Sequence, residues 1–183
     1  MIDAIVTTGW EAIPGPADYY RPAAAREDLL GLAHACGRTD AASAASLPAE
    51  GGIVHDHSGT VLPAAVQAAP ILLGIADQGC DAARAAALEL LEDALCFRPW
   101  RGSARTQRAV RLCCAIAAHI HTRGPALAGL GARSRSLLAT AREHWRVDIE
   151  ETCVEGPTPW CSAPCPDPFR SSLKRWSSMR MAR

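Results

Sequence analysis

Phenylalanine and tyrosine are scarce, two of each in 183 residues, and Lys174 is the lone lysine. A β-sandwich or barrel draws its strands from aromatic and β-branched residues, so the first shortage argues against both. Alanine is instead the commonest residue, which favours helices. Net charge is lacking too. The 19 basic and 19 acidic side chains cancel, which removes a global field that would draw the chain to nucleic acid or an anionic membrane. Every apolar stretch is interrupted before it reaches the roughly 20 residues that span a bilayer. The first twenty residues contain no basic segment followed by an apolar run, as a secretory signal would. A soluble, cytoplasmic protein without membrane contact is the expectation. A Gly-x-Ser-x-Gly elbow, a phosphate-cradling glycine loop and a dinucleotide fingerprint are all missing, so a non-catalytic role without cofactor is expected.

What is present reads as one helical domain, since a chain of this length buries a self-sufficient core but is too short for two full-sized domains. The segment up to Tyr20 has little periodicity and reads as an irregular arm. Pro22 suits a first helical position, and Leu29, Leu30, Ala33 and Cys36 recur until Gly37 offers a stop. A short second helix is expected from Asp40 to Leu47. Ser58 or Thr60 then caps a helix through Val61, Ala65, Ala68, Ala69, Leu72, Leu73 and Ala76, which Pro70 should kink or divide near Ala69. Asp81 is expected to cap the clearest amphipathic helix. Its Ala87, Leu88, Leu90, Leu91, Ala94 and Leu95 share one half of the wheel, and Glu89, Glu92 and Asp93 the other. A further helix is expected over Ala104–Thr122, burying Ala109, Leu112, Cys113, Ile116, Ala117 and Ile120, and another over Ser134–His144. Val147 and Ile149 alternate with charged residues as a short strand or extended arm would, and prolines at 157, 159, 164, 166 and 168 prevent regular structure beyond. The domain is thus 1–146, with an arm and Pro-rich tail over 147–183 packing on it.

His57-Ser58-Gly59-Thr60-Val61, continuing through Ala64, Ala65, Ala69, Pro70, Ile71, Leu72 and Leu73 to the helix ending at Leu95, resembles a bacterial HEAT-like repeat family. Its members show a His-Gln-Gly-Thr-Val signature before a proline-bent helix. Here Ser58 stands in place of the glutamine and Leu62 in place of an aromatic residue. The resemblance covers about forty residues, Ile53 to Leu95, and no clean second copy follows Trp100. It implies an all-α fold of antiparallel helical hairpins, a short HEAT-like α-solenoid. It also implies a binding scaffold, since some proteins of this appearance are immunity proteins encoded beside bacterial toxins.

Metal chemistry finds little support. His55-Asp56-His57, with His34 one helix earlier, lacks the further carboxylate and histidine ligands a hydrolytic metal needs, and the turn reads better as a cap for the next helix, through Asp56 and Ser58. His119 and His121 fall on different faces of one helix. Cys153, Cys161 and Cys165 with His144 lack paired Cys-x-x-Cys knuckles, leaving zinc, a disulfide or free thiols open. Cys36, Cys96, Cys113 and Cys114 sit in helical patterns as small buried hydrophobes.

Charge patterning says more. Up to Phe97 there are 13 acids against 4 arginines, and from Arg98 to Arg146 there are 10 arginines against Glu143 alone. The neutral chain is split into opposed lobes that either bridge to each other or steer a partner of opposite charge. The residues expected to bind that partner are Asp56, Glu89, Glu92 and Asp93 on the acidic side, Arg101, Arg105, Arg108 and Arg111 as a stripe down a helix, and Trp100 and Trp145 as aromatic anchors. The leading expectation is a protein-interaction module, an immunity protein that occludes a cognate toxin. The alternative is a HEAT-like DNA-binding protein or alkylpurine DNA glycosylase that grips phosphates with the arginines, a reading the neighbouring acids oppose.

Overall fold

The stretch from Ala64 to Ala76 contains no charged residue, and a helix apolar on nearly all sides must be enclosed by others. That is how the fold is built. The computed structural model describes residues 1–18, 20–36, 40, 44 and 51–144. Among these, seven α-helices follow in order: α1 (Ile2–Thr7), α2 (Pro22–His34), α3 (Ala64–Gln78), α4 (Asp81–Cys96), α5 (Leu112–Thr122), α6 (Gly124–Ala128) and α7 (Ala132–Glu143). Residues 71–76 of α3 are all buried, with α4, α5 and α2 packed around the helix. The body is mostly helical, with one small sheet. Its three strands, β1 (Val54–His55), β2 (Thr60–Val61) and β3 (Arg98–Pro99), are two residues each. β2 lies between the others, antiparallel to β1 and parallel to β3.

The amphipathic helix is as its sequence dictates: Ala87, Leu88, Leu90, Leu91, Ala94 and Leu95 are all buried, and Glu89 is exposed. Its start differs. Cys80, not Asp81, is the cap residue; its Sγ accepts from Ala83 N at 3.5 Å and donates to the Ala35 carbonyl at 3.1 Å, tying α4 to the end of α2. Arg84 closes the other side of the turn. Its Nε donates to Ala76 O at 2.9 Å and its Nη2 to Gly79 O at 3.3 Å, satisfying carbonyls that the end of α3 leaves open.

Other expectations are corrected. The described residues up to Tyr20 are no irregular arm. Ile5 and Trp10 are fully buried, and α1 and a 3-10 turn at Trp10–Ala12 both pack on α2. Trp10 Nε1 donates to Ile5 O at 2.9 Å, and the Tyr20 hydroxyl donates to Trp10 O at 3.0 Å. Burial, with the nearby Glu11 charge, pushes that hydroxyl up to about 12. Pro70 does not divide α3, which runs unbroken from Ala64 to Gln78 with the proline on its exposed side. Ser58 and Thr60 do not cap it; Pro63 occupies the cap position, with no side-chain cap bond. Helix α2 ends at His34, so Cys36 is exposed beyond it. Of the expected helix at Asp40–Leu47, only Asp40 and Ala44 are described, and the arm and tail over 147–183 lie outside the described residues.

The largest correction concerns residues 104–111. The expected long helix begins only at Leu112. Before it the chain doubles back: Thr106 N donates to Val110 O at 2.7 Å, Leu112 N to Ala104 O at 3.2 Å, and Arg105 bridges antiparallel to Arg111. Ala109, expected in the buried stripe, is exposed at the tip in the left-handed region, φ 60°. From Ala104 to Ala109 there is no large apolar side chain. A helix there would bury nothing to offset the ordering of its backbone, so the turn wins.

Candidate functional site

The acidic side chains come together. Asp56 lies on the 3-10 turn Asp56–Ser58 that joins β1 to β2, and this strand pair packs against α4. Gly59 closes the turn in the left-handed region at φ 59°, a conformation that suits glycine and accounts for its place in the Gly-Thr-Val sequence. Glu89, Glu92 and Asp93 lie on the outward side of α4. Burial and then the charges of Glu89, Glu92 and Asp56 raise the Asp93 carboxyl above its ordinary value, while Arg133 pulls it down. Arg133, from α7, has Nη1 3.3 Å from Glu89 Oε2 and Nε 4.0 Å from Glu92 Oε2. Among the described residues, Arg133 thus bridges the acidic and basic halves of the chain through Glu89 and Glu92. All four acidic residues named from the sequence share this face.

The turn residues serve the turn itself. Asp56 Oδ1 accepts from His57 N at 2.6 Å. Ser58 Oγ is 2.8 Å from His55 Nδ1 and 2.7 Å from Thr60 Oγ1. These bonds correct the expectation that Asp56 and Ser58 cap the following helix. The His55 and His57 rings meet edge to face, centroids 5.9 Å apart. Among the described residues no group of three or more His, Cys, Asp or Glu side chains is placed to hold a metal ion. His34 is remote in role, with Nδ1 2.8 Å from Leu30 O.

The arginines are close in sequence but form no helical stripe. Arg101, Arg105, Arg108 and Arg111 belong to the loop between β3 and α5, and Arg105 Nη1 donates to Ala109 O at 2.7 Å, bracing the turn. The helical arginine stripe expected over 101–111 is therefore replaced by a folded loop. Trp100 is half-buried, its backbone N donating to Val61 O at 3.1 Å as β3 ends. Trp145, Cys153, Cys161 and Cys165 lie outside the described residues.

A second group joins residues for which the sequence suggests other roles. Cys113 is the second residue of α5 and half-buried, Cys114 beside it is buried, and His144 at the end of α7 is 7% exposed. The Cys113 thiol is lowered to about 4, by the neighbouring Cys114 thiol most of all, with burial opposing and His144 adding to the lowering. Cys96 is the contrast, an exposed thiol pushed up by burial of its sulfur and by Glu92, Asp93 and Glu143. Only Cys114 of the four helical cysteines is the buried small hydrophobe expected. The sequence signal was slight, a thiol in the first turn of a helix with a histidine 31 positions away.

Compared with known protein families, curated proteins and solved structures, the chain matches none. No described helix is long and apolar enough to cross a membrane.

Proposed function

We propose that the chain is a non-catalytic interaction module that receives a cationic surface of a partner protein on the face formed by Asp56, Glu89, Glu92 and Asp93. The grouping of Glu89, Glu92 and Asp56 around the Asp93 carboxyl, with Arg133 paired to Glu89 and Glu92, supports this reading. Carboxylates held against one another and partly desolvated repel, and a guanidinium or ammonium group from a partner relieves that repulsion while gaining charge-assisted bonds. The rigid support beneath them, α4 on α3 and on β1–β2, presets the face, so little ordering is needed on binding. The α3–α4 hairpin is compatible with a HEAT-like hairpin unit, and the resemblance of its sequence to that family makes a basic bacterial toxin the partner class we favour. Trp100, at the edge of the sheet, serves as the aromatic anchor.

The test is co-expression with the product of the adjacent reading frame. A one-to-one complex that survives about 150 mM salt is expected, weakened about tenfold or more by the pair Glu89→Gln and Asp93→Asn. A complex indifferent to those changes, or no complex and no rescue of growth, overturns the proposal.

A further inference from the structure

Apart from the acidic face, we infer that the loop from Arg98 to Arg111 is a docking surface for the chain's own acidic segment 148–155, with Arg101, Arg105 and Arg108 pairing with Asp148, Glu150, Glu151 and Glu155. From Arg98 to Arg142 the sequence holds nine arginines and no acid, and five of those arginines fall in the loop. Arg98, Arg101, Arg105 and Arg108 are exposed, and among the described residues no carboxylate is paired with them. The loop is also built against its own charge. Arg105 and Arg111 stand opposite each other in an antiparallel bridge, which sets two like charges on one face and destabilises the pair unless an anion lies between them. The tip is nonetheless held in shape, by Thr106 N donating to Val110 O at 2.7 Å and Arg105 Nη1 donating to Ala109 O at 2.7 Å. A loop held this way presents its guanidinium groups with little ordering left to do on binding.

Position along the chain names the occupant. Helix α7 packs against both α4 and α5, the helices at the two roots of the loop. Arg133 at its start lies beside the middle of α4, with Nη1 3.4 Å from Ala85 O and 3.3 Å from Glu89 Oε2. The helix then runs to Glu143, whose charge acts on Cys96 at the end of α4, two residues before the loop begins. In the sequence Asp148 comes four residues after His144 and Glu155 eleven, and residues 147–169 hold five acids and no basic residue. Extended chain of four and eleven residues reaches about 13 Å and about 36 Å. The hairpin from Arg111 to Arg108 is only about 10 Å long, so the whole acidic run has the reach to cover it. A tether this short holds the segment at roughly millimolar effective concentration, and guanidinium–carboxylate pairs that are each weak at a surface then act together.

The experiment maps, by mass spectrometry of the full chain, the rate at which phenylglyoxal, a neutral dicarbonyl, modifies each arginine, with exposed Arg123 as the reference. Neutralising the segment with Asp148→Asn, Glu150→Gln, Glu151→Gln and Glu155→Gln should raise the rates at Arg101, Arg105 and Arg108 about threefold or more at about 150 mM salt, and leave Arg123 unchanged. In the unaltered chain, about 1 M salt should raise the same three rates to the same level, a comparison that does not depend on the variant folding. Both results should persist on about tenfold dilution, because the pairing is intramolecular. Rates that salt does not raise, or a rise shared by Arg123, overturn the inference. Slow loop rates that are lost on dilution also overturn it, in favour of the acidic face of a second copy. Asp56, Glu89, Glu92 and Asp93 stay unaltered throughout, so this result is separate from the docking proposed on their face.

Discussion

Asp28 offers a quantitative test of how α2 sits against the body. Its side chain is half-buried, and its Oδ2 has no hydrogen-bond partner among the described residues. Burial, reinforced by the adjacent Glu27 charge, raises its carboxyl from 3.8 to about 6. The folded state therefore holds this proton more tightly than the unfolded chain does. Stability from this group is intact below about pH 4 and is lost as pH rises to about 6, the reverse of a salt-bridged acid. A displacement of that size corresponds to about 3 kcal/mol. Asp28 keeps partial contact with water, and screening reduces the figure to about 1 kcal/mol. Replacing Asp28→Asn removes the charge at nearly constant shape, so the variant should be about 1 kcal/mol more stable at neutral pH and melt about 2–4 °C higher. Near pH 4, where the wild-type carboxyl is protonated, the gain should vanish. Urea unfolding followed by circular dichroism across this range reads both. A variant no more stable than wild type at neutral pH, or one whose gain is the same at pH 4, refutes the reasoning.

The remaining predictions concern other elements. Trp10→Ala should destabilise the protein by about 3–5 kcal/mol in urea unfolding, because a fully buried indole and its bond to Ile5 are lost; a loss within experimental error would restore the first segment to an arm. Ala109→Gly should stabilise by about 1 kcal/mol in thermal unfolding, since glycine adopts the left-handed region at φ 60° without the alanine penalty. Arg133→Gln should move the Asp93 titration further upward in carboxyl NMR while changing stability by no more than about 1 kcal/mol, as a partly exposed ion pair would.

How much of this was legible beforehand depended on whether the deciding contacts were local. The α4 stripe was legible because seven buried positions recur with helical period within sixteen residues, and the opposite side of the same wheel placed Glu89, Glu92 and Asp93 together. Asp56 joined them only through the packing of β1–β2 on α4, although its sign was already suggestive. Helix α1 escaped notice because six residues carry too few repeats to show a period; its stability comes from burying Ile5 and from Trp10 beside α2. Alanine and arginine have good helix propensity, which points to helix over 104–111, but propensity is overruled where no apolar face needs covering. The Cys113–His144 contact links the start of α5 to the end of α7, and nothing in the spacing of the two residues announces it.

The most direct test of the acidic face as a docking site is a calorimetric titration of the purified adjacent-gene product into the wild-type chain and into a variant carrying Asp56→Asn, Glu89→Gln, Glu92→Gln and Asp93→Asn. The account predicts one-to-one binding to the wild type that weakens with added salt and falls by about two orders of magnitude in the variant. Equal affinity for both proteins, or affinity independent of salt, would contradict it.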